Sequence, residues 1–194
     1  MFSAPYAAAK TGYMRIYELN GKNWEAMGAT IEGTTGQSEE FGFAVSISGD
    51  GTKVVGGSAK KSKARVYEWN SGAWSQLGAD IVGRTTAERF GHAVALNGDG
   101  SHLVVSAPQA AYDGQANAGV IRVFKYTNGT WKQLGQDVGL RARANAQFGT
   151  SVSISEDGTR ISASAPYICI VRHGTVYRHG GGAPVERGHL GACR

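Results

Sequence analysis

The stretch FGFAVSISGDG at residues 41–51 decides the reading of this chain, because it returns as FGHAVALNGDG at 90–100 and FGTSVSISEDG at 148–158. A second phrase alternates with it: RIYELNGKNWEAMG at 15–28, RVYEWNSGAWSQLG at 65–78 and RVFKYTNGTWKQLG at 122–135. The fixed positions of the first are Phe41-Gly42, Phe90-Gly91 and Phe148-Gly149, with Asp50, Asp99 and Asp157 in its turn; Trp24, Trp74 and Trp131 mark the second. A repeat near fifty residues is the signature of stacked supersecondary units. The spacing is rigid in one place and slack in another. Each Trp precedes the next Phe by 17, 16 and 17 residues, whereas Phe41 to Phe90 is 49 and Phe90 to Phe148 is 58. The slack falls in the loops 6–13, 60–64 and 109–120. Insertions confined to one loop per repeat map to one face of an array, often its binding face.

Each unit reads as four short strands. Phe41, Phe43, Val45 and Ile47 alternate with small or polar residues, the period of a half-buried strand. Gly49-Asp50-Gly51 supplies a turn, and KVVGGSA at 53–59 follows as a second strand. Residues 65–69 alternate again as a third, and Ser71-Gly72 turns the chain into a fourth that begins at Trp74. Asn20-Gly21 and Asn128-Gly129 stand at the equivalent turns, a dipeptide suited to two-residue hairpins. No stretch carries a helical period. The fold class expected is all-β, built from propeller blades of four antiparallel strands in chain order. The expected division is a half blade over 1–31, blades over 41–82 and 90–138, a half blade over 148–166, and a divergent basic tail over 167–194. About three blades fall short of the roughly four to eight that close a ring. An open arc or part of a larger propeller is expected, with exposed edges that favour self-association.

The FG opening, the hydroxyl-rich strand, the short Asp-Gly turn and the Ala-Pro ending (Ala107-Pro108, Ala165-Pro166) resemble the FG-GAP repeat. That repeat builds the seven-bladed propeller of integrin alpha-chain heads and of many microbial and algal surface proteins. The resemblance covers about residues 2–166; Gly57-Ser58-Ala59 departs from it by lacking the Pro. It implies a non-catalytic interaction or adhesion module of a secreted or cell-surface protein, its partner gripped by the variable loops. A second departure concerns calcium. Integrin-type repeats often carry a loop rich in alternating acids, and a calcium site needs several oxygen ligands. Here each turn offers one Asp, which reads as a turn former.

Other features narrow the function. The formal net charge is +5, but four Arg and one Glu in residues 167–194 supply +3 of it. Nucleic-acid binding calls for a concentrated basic face, and none is expected. No run of eighteen apolar residues suggests a membrane span. Cys169, His173, His179 and Cys193 have a spacing that fits no structural zinc pattern, so the cysteines read as two thiols in the tail, with a disulfide as the alternative. His92, Asp99 and Ser101 invite a triad reading, but the His slot holds Phe43 and Thr150 in the other repeats; His102 reads as a solvent-facing polar position. No catalytic residue, cofactor or metal is expected. Asn128-Gly129-Thr130 fits a glycosylation acceptor on a hairpin tip, in keeping with an extracellular location. Two alternatives stand beside the interaction module: a carbohydrate-binding propeller with Tyr6 or Tyr112 stacking on sugar rings, and the partial domain of a propeller enzyme.

Overall fold

The computed structural model describes residues 2–3, 11–140 and 144–167, and no helix occurs among them. The central repeat shows the plan. Strands Ala44–Ile47, Lys53–Ser58 and Lys63–Asn70 pair antiparallel in chain order, and Ala73–Gln76 lies along the far half of the third. The near half of that third strand carries a separate short strand, Ile81–Val82. The fourth strand, expected to begin at Trp74, starts at Ala73, and the edge it forms is broken before Ile81. A Leu77-Gly78 step with Gly78 at φ 78° interrupts it, and only glycine adopts that bend without strain.

The neighbouring repeats follow the same plan. Val94–Leu96, His102–Ala107, Val120–Thr127 and Thr130–Gln133 form one sheet, with Val138–Gly139 on the near half of the third strand. On the amino side, Phe2–Ser3, Tyr13–Arg15 and Ile31–Glu32 share a sheet, and Tyr17–Asn20 pairs with Asn23–Ala26. On the carboxyl side, Val152–Ile154 pairs with Ile161–Ala163. Of the expected tail, only Tyr167 is among the described residues.

The sheets assemble as an open, propeller-like arc. The first strands of successive repeats lie side by side. Their turns stack directly: Asp50 N donates to Gly98 O at 3.2 Å, and Gly98 N to Glu156 O at 2.9 Å. The Phe-Gly pair sits just before each first strand, so the central one begins at Ala44 and not at Phe41. Glu40, Arg89 and Gln147 have φ of 56°, 55° and 49°, and the Gly after each Phe has φ between 80° and 92°. This bend aims Phe41 N at Thr11 O and Phe148 N at Ala118 O, both at 2.9 Å, while Phe90 N takes Ser62 Oγ at 2.9 Å.

Burial explains why the second strands read as continuous apolar runs. In Lys53–Ser58, Val54 joins Met14, Ile16, Ile31 and Phe41 on one side. Val55 joins Val66, Phe90, Val94 and Leu103 on the other. A strand covered on both faces loses its alternation. Each such side chain contributes about 1.5–3 kcal/mol on full burial. The arc is held by these inter-repeat layers.

Candidate binding face

The connections 59–62 and 108–119 occupy equivalent places in their sheets, each beside a buried ionic bracket. Arg65, on the third strand of the central repeat, meets Glu39 Oε1 at 3.0 Å and Asp80 Oδ1 at 2.9 Å. Lys63 Nζ also reaches Glu39 Oε1, at 2.7 Å, and Thr34 N donates to Glu39 Oε2 at 2.5 Å. Burial alone would raise the Glu39 carboxyl, but Lys63, the Thr34 amide and Arg65 outweigh it and hold the group below the ordinary range. Asp80 is lowered in the same way, with burial opposed by Arg65, Gln76 and Lys63. The next repeat keeps the Arg–Glu–Asp part of the arrangement, with Val120 in the slot of Lys63. Arg122 grips Glu88 with two bonds of 2.9 Å and meets Asp137 at 3.1 Å. Each Arg also lies over the ring of its Phe, Arg65 on Phe41 and Arg122 on Phe90, both 5.5 Å from the centroid.

Arg15, Arg65 and Arg122 open the three copies of the second phrase, and the strand alternation there does not reveal their partners. The signal was present: Glu39 and Glu88 each stand two residues before a Phe, and Asp80 and Asp137 two after a Gly. The first repeat has Thr30 in that Asp slot, and Arg15 Nε donates to its Oγ1 at 2.6 Å.

Above the second bracket, residues 108–119 join two strands that the central repeat joins with 59–62. The longer loop is ordered by its own backbone. Tyr112 and Gln115 exchange two hydrogen bonds of 3.1 and 3.0 Å around Asp113-Gly114, whose φ values of 51° and 74° make a tight hairpin. Ala110 and Ala118 are buried beneath it. Asn145 N and Gln147 N donate to Ala116 O and Asn117 O, which stitches the loop to the following inter-repeat segment. The Tyr112 ring rests on Gly139, where a Cβ would stand 2.7 Å from it. The loop thus forms one wall of an open cleft of about 620 Å³, lined by Arg84, Tyr112, Asp113, Gln133, Gln136 and Asp137. Arg84 Nη1 pairs with Asp137 at 2.9 Å across it. One aromatic face among amides, carboxylates and a guanidinium can orient a polar ligand.

The other predicted positions fall as follows. Phe41 and Phe90 are fully buried and Phe148 half-buried; Gly42, Gly91 and Gly149 are buried. Trp74 and Trp131 bridge repeats, but Trp24 is 67% exposed. Asp50, Asp99 and Asp157 close their own turns: Asp50 Oδ1 accepts from Ser48 Oγ at 2.6 Å, Thr52 N at 2.9 Å and Thr52 Oγ1 at 2.8 Å. Hydrogen bonds from Ser101 hold Asp99 at about 2, and those from Ser155 and Thr159 hold Asp157 at about 2. Asn128, at φ 51°, is exposed on its hairpin tip. His92 packs on the Phe43 ring, 5.2 Å between centroids, and Ser101 Oγ bonds instead to His102 Nδ1 at 2.9 Å, so the imagined triad is not assembled. His102 is half-buried under Gly158, not solvent-facing. Among the described residues no three His, Cys, Asp or Glu are grouped to hold a metal, and no helix is long and apolar enough to cross a membrane. Tyr6, the first half of the loop 6–13, Cys169, His173, His179 and Cys193 lie outside the described residues.

No protein-family model matches the chain, and no curated protein does. Solved structures match in fold. The crystal structure of a Bacteroides uniformis protein provisionally described as a 6-phosphogluconolactonase aligns over 79% of this chain and 41% of its own, at 17% identity and TM-score 0.53. A Bacteroides fragilis protein with the same provisional description aligns over 61% and 30%, at 17% identity and TM-score 0.41. The complex of KlAtg21 with the coiled coil of AgAtg16 aligns over 63% and 36%, at 15% identity and TM-score 0.45. The chain spans less than half the length of each. The first likeness shows the fold alone; the other two are weaker and carry no argument.

Proposed function

We propose that this chain is a non-catalytic interaction module of the adhesion type, with FG-GAP-like repeats, whose partner is a protein bound by the loop face. The carrying observation is the ordered loop 108–119, standing beside an Arg–Glu–Asp bracket that the short loop 59–62 also has beneath it. A loop held in shape before binding loses little entropy when it engages a partner. The resemblance of the repeats favours a secreted or cell-surface setting. Beads coated with the chain test this on cultured cells. Adhesion should disappear when the cells are treated with protease, and when residues 109–118 are replaced by a short loop. Adhesion that survives loop replacement would refute it.

The polar cleft with Tyr112 favours a second reading, binding of a hydroxyl-rich sugar. In that case adhesion would be lost to glycosidase treatment and to free monosaccharide. The provisional enzyme name of the Bacteroides uniformis fold neighbour suggests a third reading, part of a lactone-hydrolysing propeller. Release of acid from a sugar lactone by the purified chain would favour it.

A further inference from the structure

The two joints between repeats are built alike. In the central repeat the cross-strand pair Trp69 and Trp74, centroids 5.1 Å apart, faces the preceding repeat. Trp74 Nε1 donates to the Met27 carbonyl at 2.8 Å, and both rings close over Gly28. In the next repeat Tyr126 and Trp131, centroids 5.2 Å apart, do the same to Leu77 and Gly78, with Trp131 Nε1 at 2.9 Å from the Leu77 carbonyl. A Cβ on Gly28 would stand 2.6 Å from Trp69, and one on Gly78 would stand 3.1 Å from Trp131. Each joint is therefore a plug of two cross-strand side chains and a socket made of an apolar residue, its carbonyl and a glycine.

The described residues hold one more plug and one more socket. Leu19 and Trp24 are the same cross-strand pair in the first repeat, and they are 53% and 67% exposed. Leu134-Gly135 is the same step in the third repeat. Leu134 is 50% exposed, Gly135 has φ 76°, and nothing lies within 4 Å of where its Cβ would stand. Among the described residues, nothing accepts from Trp24 Nε1 and nothing donates to the Leu134 carbonyl.

We propose that the Leu19/Trp24 plug of one copy of this chain seats in the Leu134-Gly135 socket of a second copy, head to tail, with Trp24 Nε1 donating to the Leu134 carbonyl. The occupant is a second copy because both complementary surfaces stand on this chain, and the seating is one it already makes twice internally. The same superposition lays Ile161–Ala163 of one copy beside 15–17 of the next, which completes a four-stranded blade from two halves. In the register of the central repeat, where Lys53 stands opposite Glu68, Arg160 falls opposite Glu18. Ala163 and Phe2 take the same place opposite Arg15, so the two-residue strand Phe2–Ser3 gives way. Such a joint is heterologous: it closes into a ring if the rotation allows and otherwise extends. Two copies bring about six blades, within the range of closed propellers.

Sedimentation velocity of the full 194-residue chain tests the joint, from micromolar to hundreds of micromolar. The samples are wild type, Trp24→Ala, Leu134→Glu and an equimolar mixture of the two variants. Wild type should assemble with concentration, and each variant alone should associate at least about tenfold more weakly. The mixture retains one intact plug and one intact socket, so it should form an open dimer and nothing larger. Both residues are exposed, so the variants should keep the wild-type far-ultraviolet spectrum and, at dilutions where wild type is monomeric, its Tm; Trp24→Ser and Leu134→Lys replace any that do not. A wild type that stays monomeric, variants that associate as wild type does, or a mixture without the dimer would each overturn the proposal.

Discussion

Trp131 Nε1 lies 2.9 Å from the carbonyl of Leu77, fifty-four residues earlier in the chain. The bond runs from the fourth strand of one repeat to the break after the fourth strand of the repeat before it, and Trp74 makes the same bond to Met27 at 2.8 Å. A motif that looks local in sequence therefore does its work between repeats, where it ties the outer edges of the sheets together.

Trp131→Phe removes the N–H and leaves the Leu77 carbonyl without its donor. It should cost about 1–2 kcal/mol in urea denaturation. Trp131→Ala, which also loses the ring contacts, should cost about 3 kcal/mol or more. Trp24→Phe in dilute solution should change stability by less than about 0.5 kcal/mol, because that ring is exposed. Equal losses at positions 24 and 131 would contradict the inter-repeat role.

Glu88→Ala leaves Arg122 buried without its bidentate partner. The expected loss is about 3–5 kcal/mol. Glu40→Ala breaks only the pair with the largely exposed Lys60, at 3.1 Å, and should cost no more than about 1 kcal/mol. Thermal or chemical denaturation of the two variants side by side distinguishes a bracket from a surface pair.

Acid should weaken the fold in a defined window. Asp99 and Asp157 are held at about 2, and Glu39, Asp50 and Asp80 lie below their ordinary values. Carboxyls depressed in the folded state lend stability above their unfolded pKa and lose it as pH falls through the folded one. The contribution of these groups to Tm should be constant above about pH 5 and shrink from about 4 towards 2. Asp99→Asn should reduce that loss; a Tm that rises over this range would exclude the account.

His92 acts at higher pH. Burial, and then Arg89, lower it below the ordinary histidine value, so its protonation favours the unfolded chain. The stability it lends is full above the ordinary value of about 6.5 and is lost as pH falls below it. His92→Phe, the residue type in the same slot of the central repeat, should flatten the Tm profile between about pH 7 and 5. An unchanged profile would show that His92 is not the group responsible.

Calcium should be inert at the turns, since each turn offers a single Asp whose Oδ1 is already engaged within its own loop. Millimolar calcium should shift Tm by less than about a degree, whereas a bound ligand at a hundred times its Kd would add about 2.7 kcal/mol.

Much of this fold was legible in the sequence because the signals are local. Asn-Gly and Asp-Gly turns, and alternation at Val45 and Ile47, need only neighbouring residues to act. The Phe-Gly bend was missed because its cause is a hydrogen bond from Phe41 N to Thr11 O, thirty residues away. The brackets were missed for the same reason: Glu39 means nothing until Arg65 is folded beside it. Trp24 stands in the same repeat position as Trp74 and Trp131, yet it is exposed, because among the described residues no carbonyl of a neighbouring repeat receives it. For the candidate face, the sequence located the elastic loop and Tyr112 but not the cleft, which also needs Arg84 and Gln136 from segments on either side.

The brackets have a consequence for how such repeats diversify. Arg65 and Arg122 make matching contacts although one loop above them is 59–62 and the other 108–119. Because the same three charges close the sheet whatever the loop does, insertion there leaves the inter-repeat layers untouched. Natural variation can therefore rewrite the shape and chemistry of this edge, one repeat at a time, while the scaffold is inherited unchanged. A foreign peptide placed between Asp113 and Gly114 would use the same freedom.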